Sequence, residues 1–202
     1  MRLVVDQKSL KRILKWTQRV LLAGGVSMLS YCGFVLMDAW IFQKGEGRQL
    51  ERLVADQRIA PVTSLKNSPP AMTNGLIGRI EIPRLRLSVI VIEGISRTTL
   101  RRAVGHIPGT ALPGQPGNVG ISGHRDTFFR PLRNIQRNDI ITLTTLLGEY
   151  RYRVVSTKVV GPYDVAVLDP SGNEILTLVT CYPFYFVGSA PDRFIVRAER
   201  VT

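Results

Sequence analysis

Apolar positions along this 202-residue chain follow two rhythms, and the change from one to the other divides it. From Val20 to Met37 eighteen residues run without a charge, and Trp16, Trp40 and Phe42 stand near the ends of the run. At a helical rise of about 1.5 Å per residue the run covers roughly 27 Å, and adding the stretch to Phe42 brings it to about the thickness of a bilayer core. The pattern predicts one transmembrane helix over residues 20–42. Gly24, Gly25 and Gly33 weaken such a helix in water but are tolerated in lipid, where the helix satisfies its own backbone. The competing reading is a cleavable signal peptide. Against it, the run is long for one and no small-x-small site precedes a clean mature start.

After the span the rhythm falters. Residues 43 to 60, with Gln49, Leu50, Leu53 and Val54, can continue as a short polar helix until Ala60-Pro61 and Ser68-Pro69-Pro70 break any regular element. Residues 43–75 therefore read as a linker that tethers the domain beyond it.

From residue 76 onward the spacing is that of strands. Arg79, Ile80, Glu81 and Ile82 alternate, and Leu85 to Ile92 is rich in Leu, Val and Ile, so two strands are expected, broken at Pro83. Thr98 to Ala103 predicts a short helical turn, followed by the turn-dense Pro108-Gly109 and Pro113-Gly114-Gln115-Pro116-Gly117. Asn118 to Ser122 is a short strand, and Phe128 to Ile135 is irregular or a single helical turn. Asp139–Leu147 and Tyr150–Val160 form a hairpin across Gly148-Glu149. Asp164 can cap a turn through Val167. Glu174 to Cys181 is an almost wholly aliphatic or β-branched run and reads as a buried strand, and Arg193 to Val201 alternates as a last, half-exposed one. About eight strands with almost no helix, at these spacings, predict an all-β domain over residues 76–202, closed or nearly closed as a barrel.

Charge sets the orientation. The formal net charge is +12. Six of the bases (Arg2, Lys8, Lys11, Arg12, Lys15 and Arg19) stand before the span against one acid, Asp6, whereas the segment after it mixes signs. The positive-inside tendency keeps residues 1–19 in the cytoplasm as a basic segment and puts everything beyond residue 42 outside. That placement removes nucleic acid as a partner, and the arginine surplus of the ectodomain suits an anionic membrane surface or envelope polymer, or is a solvated face. The two cysteines, Cys32 in the span and Cys181 in the ectodomain, are too far apart to pair.

A thiol at the end of a buried strand is either a small core residue or a nucleophile. Nucleophilic catalysis by cysteine needs a base or ion-pair partner and a donor for the oxyanion. The ectodomain offers two histidines. His124 follows a strand end and a Gly, where a side chain is readily aimed at a cleft. His106 sits in the loop Gly105-His106-Ile107-Pro108, and taken alone either histidine is a hydrogen-bonded loop residue or a catalyst. Eleven residues separate Cys181 from Arg193, so antiparallel pairing of the last two strands brings them close. One Cys and two His without ligand spacing fall short of a zinc site, and no other metal or cofactor is indicated.

These residues lie in motifs that resemble those of the sortases. Thr177-Leu178-Val179-Thr180-Cys181 resembles the Thr-Leu-x-Thr-Cys signature. The segment from Pro108 to Asn118, then Gly123-His124-Arg125-Asp126-Thr127, and Ser189-Ala190-Pro191-Asp192-Arg193-Phe194 look like further sortase blocks in the expected order. The continuation Cys181-Tyr182-Pro183-Phe184 and the short loop before Arg193 look most like class D. The resemblance covers about residues 76 to 202. It implies an eight-stranded sortase-type β-barrel carrying a cysteine transpeptidase without a cofactor, whose catalytic residues are His124, Cys181 and Arg193. By the same resemblance Cys181 attacks the Thr carbonyl of a Leu-Pro-x-Thr-type signal near the C-terminus of a secreted protein. His124 then serves the leaving and incoming amines, Arg193 stabilises the oxyanion, and a cell-wall precursor or pilin Lys accepts the acyl group.

Two other readings use the same residues. A cysteine peptidase would release the same acyl-enzyme to water, and a non-catalytic anchored adhesion or assembly module could use the same barrel. An L,D-transpeptidase is set aside because its Ser-x-Gly-Cys setting is absent.

Overall fold

The computed structural model describes residues 7–59, 75–186 and 188–201. It forms two compact units, residues 1–41 and 42–202. Helix α1 (Gln7–Ile59) begins in the first and ends in the second. In the first unit it is long and apolar enough to cross a membrane, and Leu21, Leu22, Met28, Leu29, Phe34 and Leu36 are exposed all round it. Such a surface is one that hydrocarbon can cover, and side chains left bare in water forfeit the free energy of burial.

In the second unit eight strands close a barrel: β1 (Leu76–Ile82), β2 (Leu87–Glu93), β3 (Val104–His106), β4 (Asn118–Ser122), β5 (Ile140–Thr145), β6 (Gly148–Val160), β7 (Ile175–Tyr182) and β8 (Asp192–Val201). Their order around it is β1-β2-β3-β4-β7-β8-β6-β5. A short helix α2 (Arg97–Arg102), N-capped by the Ser96 hydroxyl accepting from Thr99 N–H, joins β2 to β3. Alternate residues of each strand fill the interior, among them Ile80 and Ile82, Val89 and Val91, Val119 and Ile121, Leu176 and Leu178, Val196 and Ala198. Two junctions are parallel, β2–β3 and β4–β7, and the rest are antiparallel.

The segment expected to be a linker is helical as far as Ile59, and its residues 60–74 lie outside the described ones. Phe42, Leu50 and Val54 pack against Leu76, Ile90, Ile92 and Leu146 of the barrel. Gln43 fills an edge that the three-residue β3 leaves open: its Oε1 accepts from Ile90 N at 2.9 Å and its Nε2 donates to Arg102 O at 2.7 Å. Arg79 adds an ion pair to Glu51 at 2.9 Å.

Three local expectations differ from the structure. His106 ends strand β3 instead of lying in a loop, because its neighbours Val104 and Gly105 pair with β2. The β5–β6 hairpin turns at Leu146-Leu147, not at Gly148-Glu149: Thr145 Oγ1 accepts from Leu147 N and donates to Gly148 O, closing the loop two residues earlier. Asp164 precedes the turn 165–168 but makes no side-chain cap.

Arg84 locks the turn after β1 to the start of β5. It donates from Nε and Nη2 to both carboxylate oxygens of Asp139, at 2.5 and 2.6 Å, while Asp139 also accepts from Gln136 N. The hydrogen bond from Arg84 holds the Asp139 carboxyl below its usual range, against burial, which opposes it. A carboxyl lowered in the folded state stabilises fully above its unfolded value of about 3.9 and loses that contribution as pH falls through the folded value. Denaturation of Asp139→Asn is therefore expected to show a stability deficit at pH 6–7 that narrows below about pH 4; a deficit independent of pH would mean that the ionised carboxylate is not what Arg84 holds. Leu50 is 2% exposed. Leu50→Ala should cost the barrel about 2 kcal/mol, read as a lower melting temperature of the full chain in detergent, whereas Arg48→Ala, on the exposed face of the same helix, should cost little. Equal, small effects would place residues 42–54 outside the folded unit.

Candidate active site

Strand β7 lies between β4 and β8. Leu176 and Leu178 point into the barrel, so alternation turns Thr177, Val179 and Cys181 to its outer side. On β8 the same count sends Val196 and Ala198 inward and Arg193 outward. Cys181 and Arg193 are direct partners in the antiparallel register, and both are half-buried. The short reach from one strand end to the next start is what makes this pairing: Tyr182 faces Asp192 one step on, and the intervening loop closes the ladder.

His124 approaches from the other side of β7. The parallel pairing of β4 with β7 ends at Ser122 opposite Val179. Two further bonds carry the alignment on: Gly123 N donates to Val179 O at 3.1 Å, and Thr180 Oγ1 donates to Gly123 O at 2.7 Å. Continued one residue further, the register brings His124 level with Cys181. Gly123 has to be glycine, because a Cβ there would meet Phe129 at 2.7 Å and Val104 at 2.8 Å in the core. With position 123 turned inward, His124 is turned outward, and its side chain is exposed. Its carbonyl accepts from Thr127 N and Phe129 N, which folds the following turn.

The structure thus gathers the three sequence-predicted residues on one face, Cys181 in the middle. Among the described residues no hydrogen bond joins the thiol to either neighbour. Arg193 donates from Nη1 to Ala190 O at 3.3 Å and Asp192 O at 2.9 Å, and among the described residues its Nε and Nη2 make no bond. Three rings, Tyr182, Phe184 and Phe194, pack at the base of the loop with centroids 5.2 to 6.3 Å apart.

The outer face of β4 and β7 is bordered by the connections before β4 and before β7. Gly120 leaves room for Thr110, Ile107 and Leu168, all 3.0 to 3.2 Å from where its Cβ would stand. Asn118 donates to Val167 O and Asp169 O and accepts from Thr177 Oγ1, tying the second connection to the sheet. His106, 3% exposed, sets the first. Its Nδ1 meets Glu93 Oε2 at 2.8 Å, and its Nε2 lies 3.0 Å from both Ala111 O and Thr110 Oγ1. This histidine is structural, and no cysteine or carboxylate of the Cys181 face is among its partners. Among the described residues no three His, Cys, Asp or Glu gather closely enough to hold a metal ion.

Residue-type reasoning overlooked Arg125. It is 5% exposed and spends its guanidinium on the loop after Cys181. Its place beside His124 was the only available signal, since an arginine in a polar turn ordinarily faces water.

Comparison with known proteins agrees with this architecture. A model of the sortase domain matches residues 80–201. The chain is 32% identical to sortase D of Bacillus subtilis (strain 168) over 192 residues, 90% of this chain and 96% of that one. It is 35% identical to sortase SrtE1 of Streptomyces coelicolor, covering 58% of this chain and 39% of the other. Among solved structures, a Clostridium perfringens sortase D5 transpeptidase superposes with a TM-score of 0.63 at 25% identity, over 82% of this chain and 99% of that one. The match to the domain model and the shared length with sortase D establish that the chain belongs to the sortase family, cysteine transpeptidases that attach proteins to the cell wall or to pilins.

Proposed function

We propose that this sortase is held in the membrane by α1 with residues 1–19 in the cytoplasm and the barrel outside. There it cleaves a Leu-Pro-x-Thr-type sorting signal after Thr and passes the protein to an amine. The observation that carries the reading is the register: Cys181 stands opposite Arg193 on one side, and on the other the β4–β7 pairing, extended past its last pair Ser122–Val179, leads to His124.

The chemistry follows from those positions. The Cys181 thiolate attacks the Thr carbonyl carbon, a C–S bond forms, and negative charge moves to the oxygen. Arg193, anchored through Nη1, has Nε and Nη2 to offer that oxygen or the neighbouring substrate backbone. As the tetrahedral intermediate collapses, the C–N bond breaks and His124 gives its proton to the departing amine. The neutral imidazole then takes a proton from the incoming amine, which attacks the thioester; the C–S bond breaks, a new amide forms and the thiolate returns. The two amines occupy one site in turn, so a single histidine serves both. The acceptor is an amine of a cell-wall precursor or a pilin Lys, and water competes with it.

The membrane placement fits the chemistry: an exposed apolar helix holds the enzyme in the plane that its secreted substrates cross. The anion-holding role of Arg193 rests on its planar, multi-donor head, which an ammonium does not reproduce.

With a Leu-Pro-x-Thr peptide and added amine, Cys181→Ala should lose all measurable turnover. Arg193→Lys should lose about 10²-fold or more in kcat, the scale of one lost oxyanion donor, and a near-native Lys variant would remove Arg193 from the site. The product should shift from acid to amide as amine is raised; acid alone at every amine concentration would make the enzyme a peptidase.

A further inference from the structure

The loop from Pro183 to Pro191 joins the strand that carries Cys181 to the strand that begins with Asp192 and Arg193. Beyond its aromatic base it has little bonding of its own; among the described residues its internal backbone bond is Phe186 N to Pro183 O, at 3.4 Å. Its carbonyls are held from outside, by Arg125. Nη1 donates to Pro183 O at 2.6 Å, and Nη2 donates to Phe186 O at 2.6 Å and to Gly188 O at 3.2 Å. Nε reaches Asp126 at 3.4 Å, and the guanidinium lies 5.9 Å from the centre of the Phe186 ring.

A guanidinium that is 5% exposed has surrendered its hydration, which is costly unless its N–H groups are met. Here backbone carbonyls meet most of them, with one flanking acid that is itself exposed. The planar fork suits this task, because its two terminal nitrogens point in different directions and each finds an oxygen of the loop.

The loop in turn holds Arg193, whose Nη1 donates to Ala190 O. Arg125 is bonded through the backbone to His124. A chain of contacts therefore runs from the turn of the histidine, through one buried cation, across the loop, to the second arginine, and it ends opposite the thiol.

We propose that Arg125 is a positioning residue, a buried guanidinium that fixes the β7–β8 loop onto the His124 turn and so keeps His124, Cys181 and Arg193 in mutual alignment. The inference rests on the sortase chemistry assigned to those three residues. It makes Arg125 a determinant of kcat although it touches neither substrate nor sulfur.

The test uses the full chain in detergent and two readouts. The first is kcat and KM for a Leu-Pro-x-Thr peptide with amine. The second is the rate of chymotrypsin cleavage after Tyr185 or Phe186, referred to cleavage after Tyr163, which is 92% exposed and lies in a different connection. Arg125→Lys keeps the charge but cannot span the three carbonyls. It should lower kcat at least 10-fold with KM changed less than about 3-fold, and raise loop cleavage relative to Tyr163 at least 10-fold. Arg125→Ala should recover rate with millimolar guanidinium but not with methylammonium. A Lys variant with native kcat, or a rate loss that only follows the fraction unfolded, overturns the proposal. Should neither variant fold, the wild type decides: a loop cut as fast as Tyr163 overturns the clamp, and a resistant loop upholds it. An absence of turnover in the wild type would refute the sorting-signal chemistry instead, and the cleavage ratio would still judge the clamp.

Discussion

The site depends on the middle position of β7. A strand paired in parallel with β4 on one edge and antiparallel with β8 on the other can bring three distant segments level with one side chain. Parallel pairing lets the end of β4 and the end of β7 arrive together, so a residue just after β4 lands beside the last residues of β7. Antiparallel pairing makes the start of β8 meet the same end. Cys181 sits where both conditions hold. The interior of the barrel enforces the arrangement, because a one-residue slip of β7 would turn Leu176 and Leu178 out to water and carry the sulfur into the core.

Around that register the fold adds rigid supports. Thr180 ties the end of β4 to β7, Asn118 and Thr177 tie down the connection before β7, and His106 with Glu93 and Thr110 ties down the connection before β4. Each is a hydrogen bond from a side chain to a backbone or polar group that lies off the ladder, where irregular segments would otherwise be unheld. Among the described residues the Cys181 thiol makes no hydrogen bond, and Arg193 bonds through Nη1 alone.

The sequence was informative where a feature repeats or is short in range. Alternation marked most of the strands, and the eleven residues between Cys181 and Arg193 implied that two consecutive strands face each other. Strand β3 escaped because Val104-Gly105-His106 is too short to show a period and takes its identity from its neighbours. The hairpin turn was misplaced because Gly148 attracted it, whereas the Thr145 hydroxyl closes the turn earlier. The packing of Phe42, Leu50 and Val54 was invisible because three apolar residues in a polar stretch mean nothing until a partner surface exists. Arg125 was hidden for the opposite reason: its partners are main-chain oxygens, which leave no mark on residue identity.

Thr180 and Gly123, which join the two halves of the site, lie 57 residues apart in the chain. Closing so large a loop is entropically slow, and topologies rich in such distant pairings fold late and as a whole. The face that carries Cys181 is therefore incomplete until β8, which follows β7 in the chain, has paired with it.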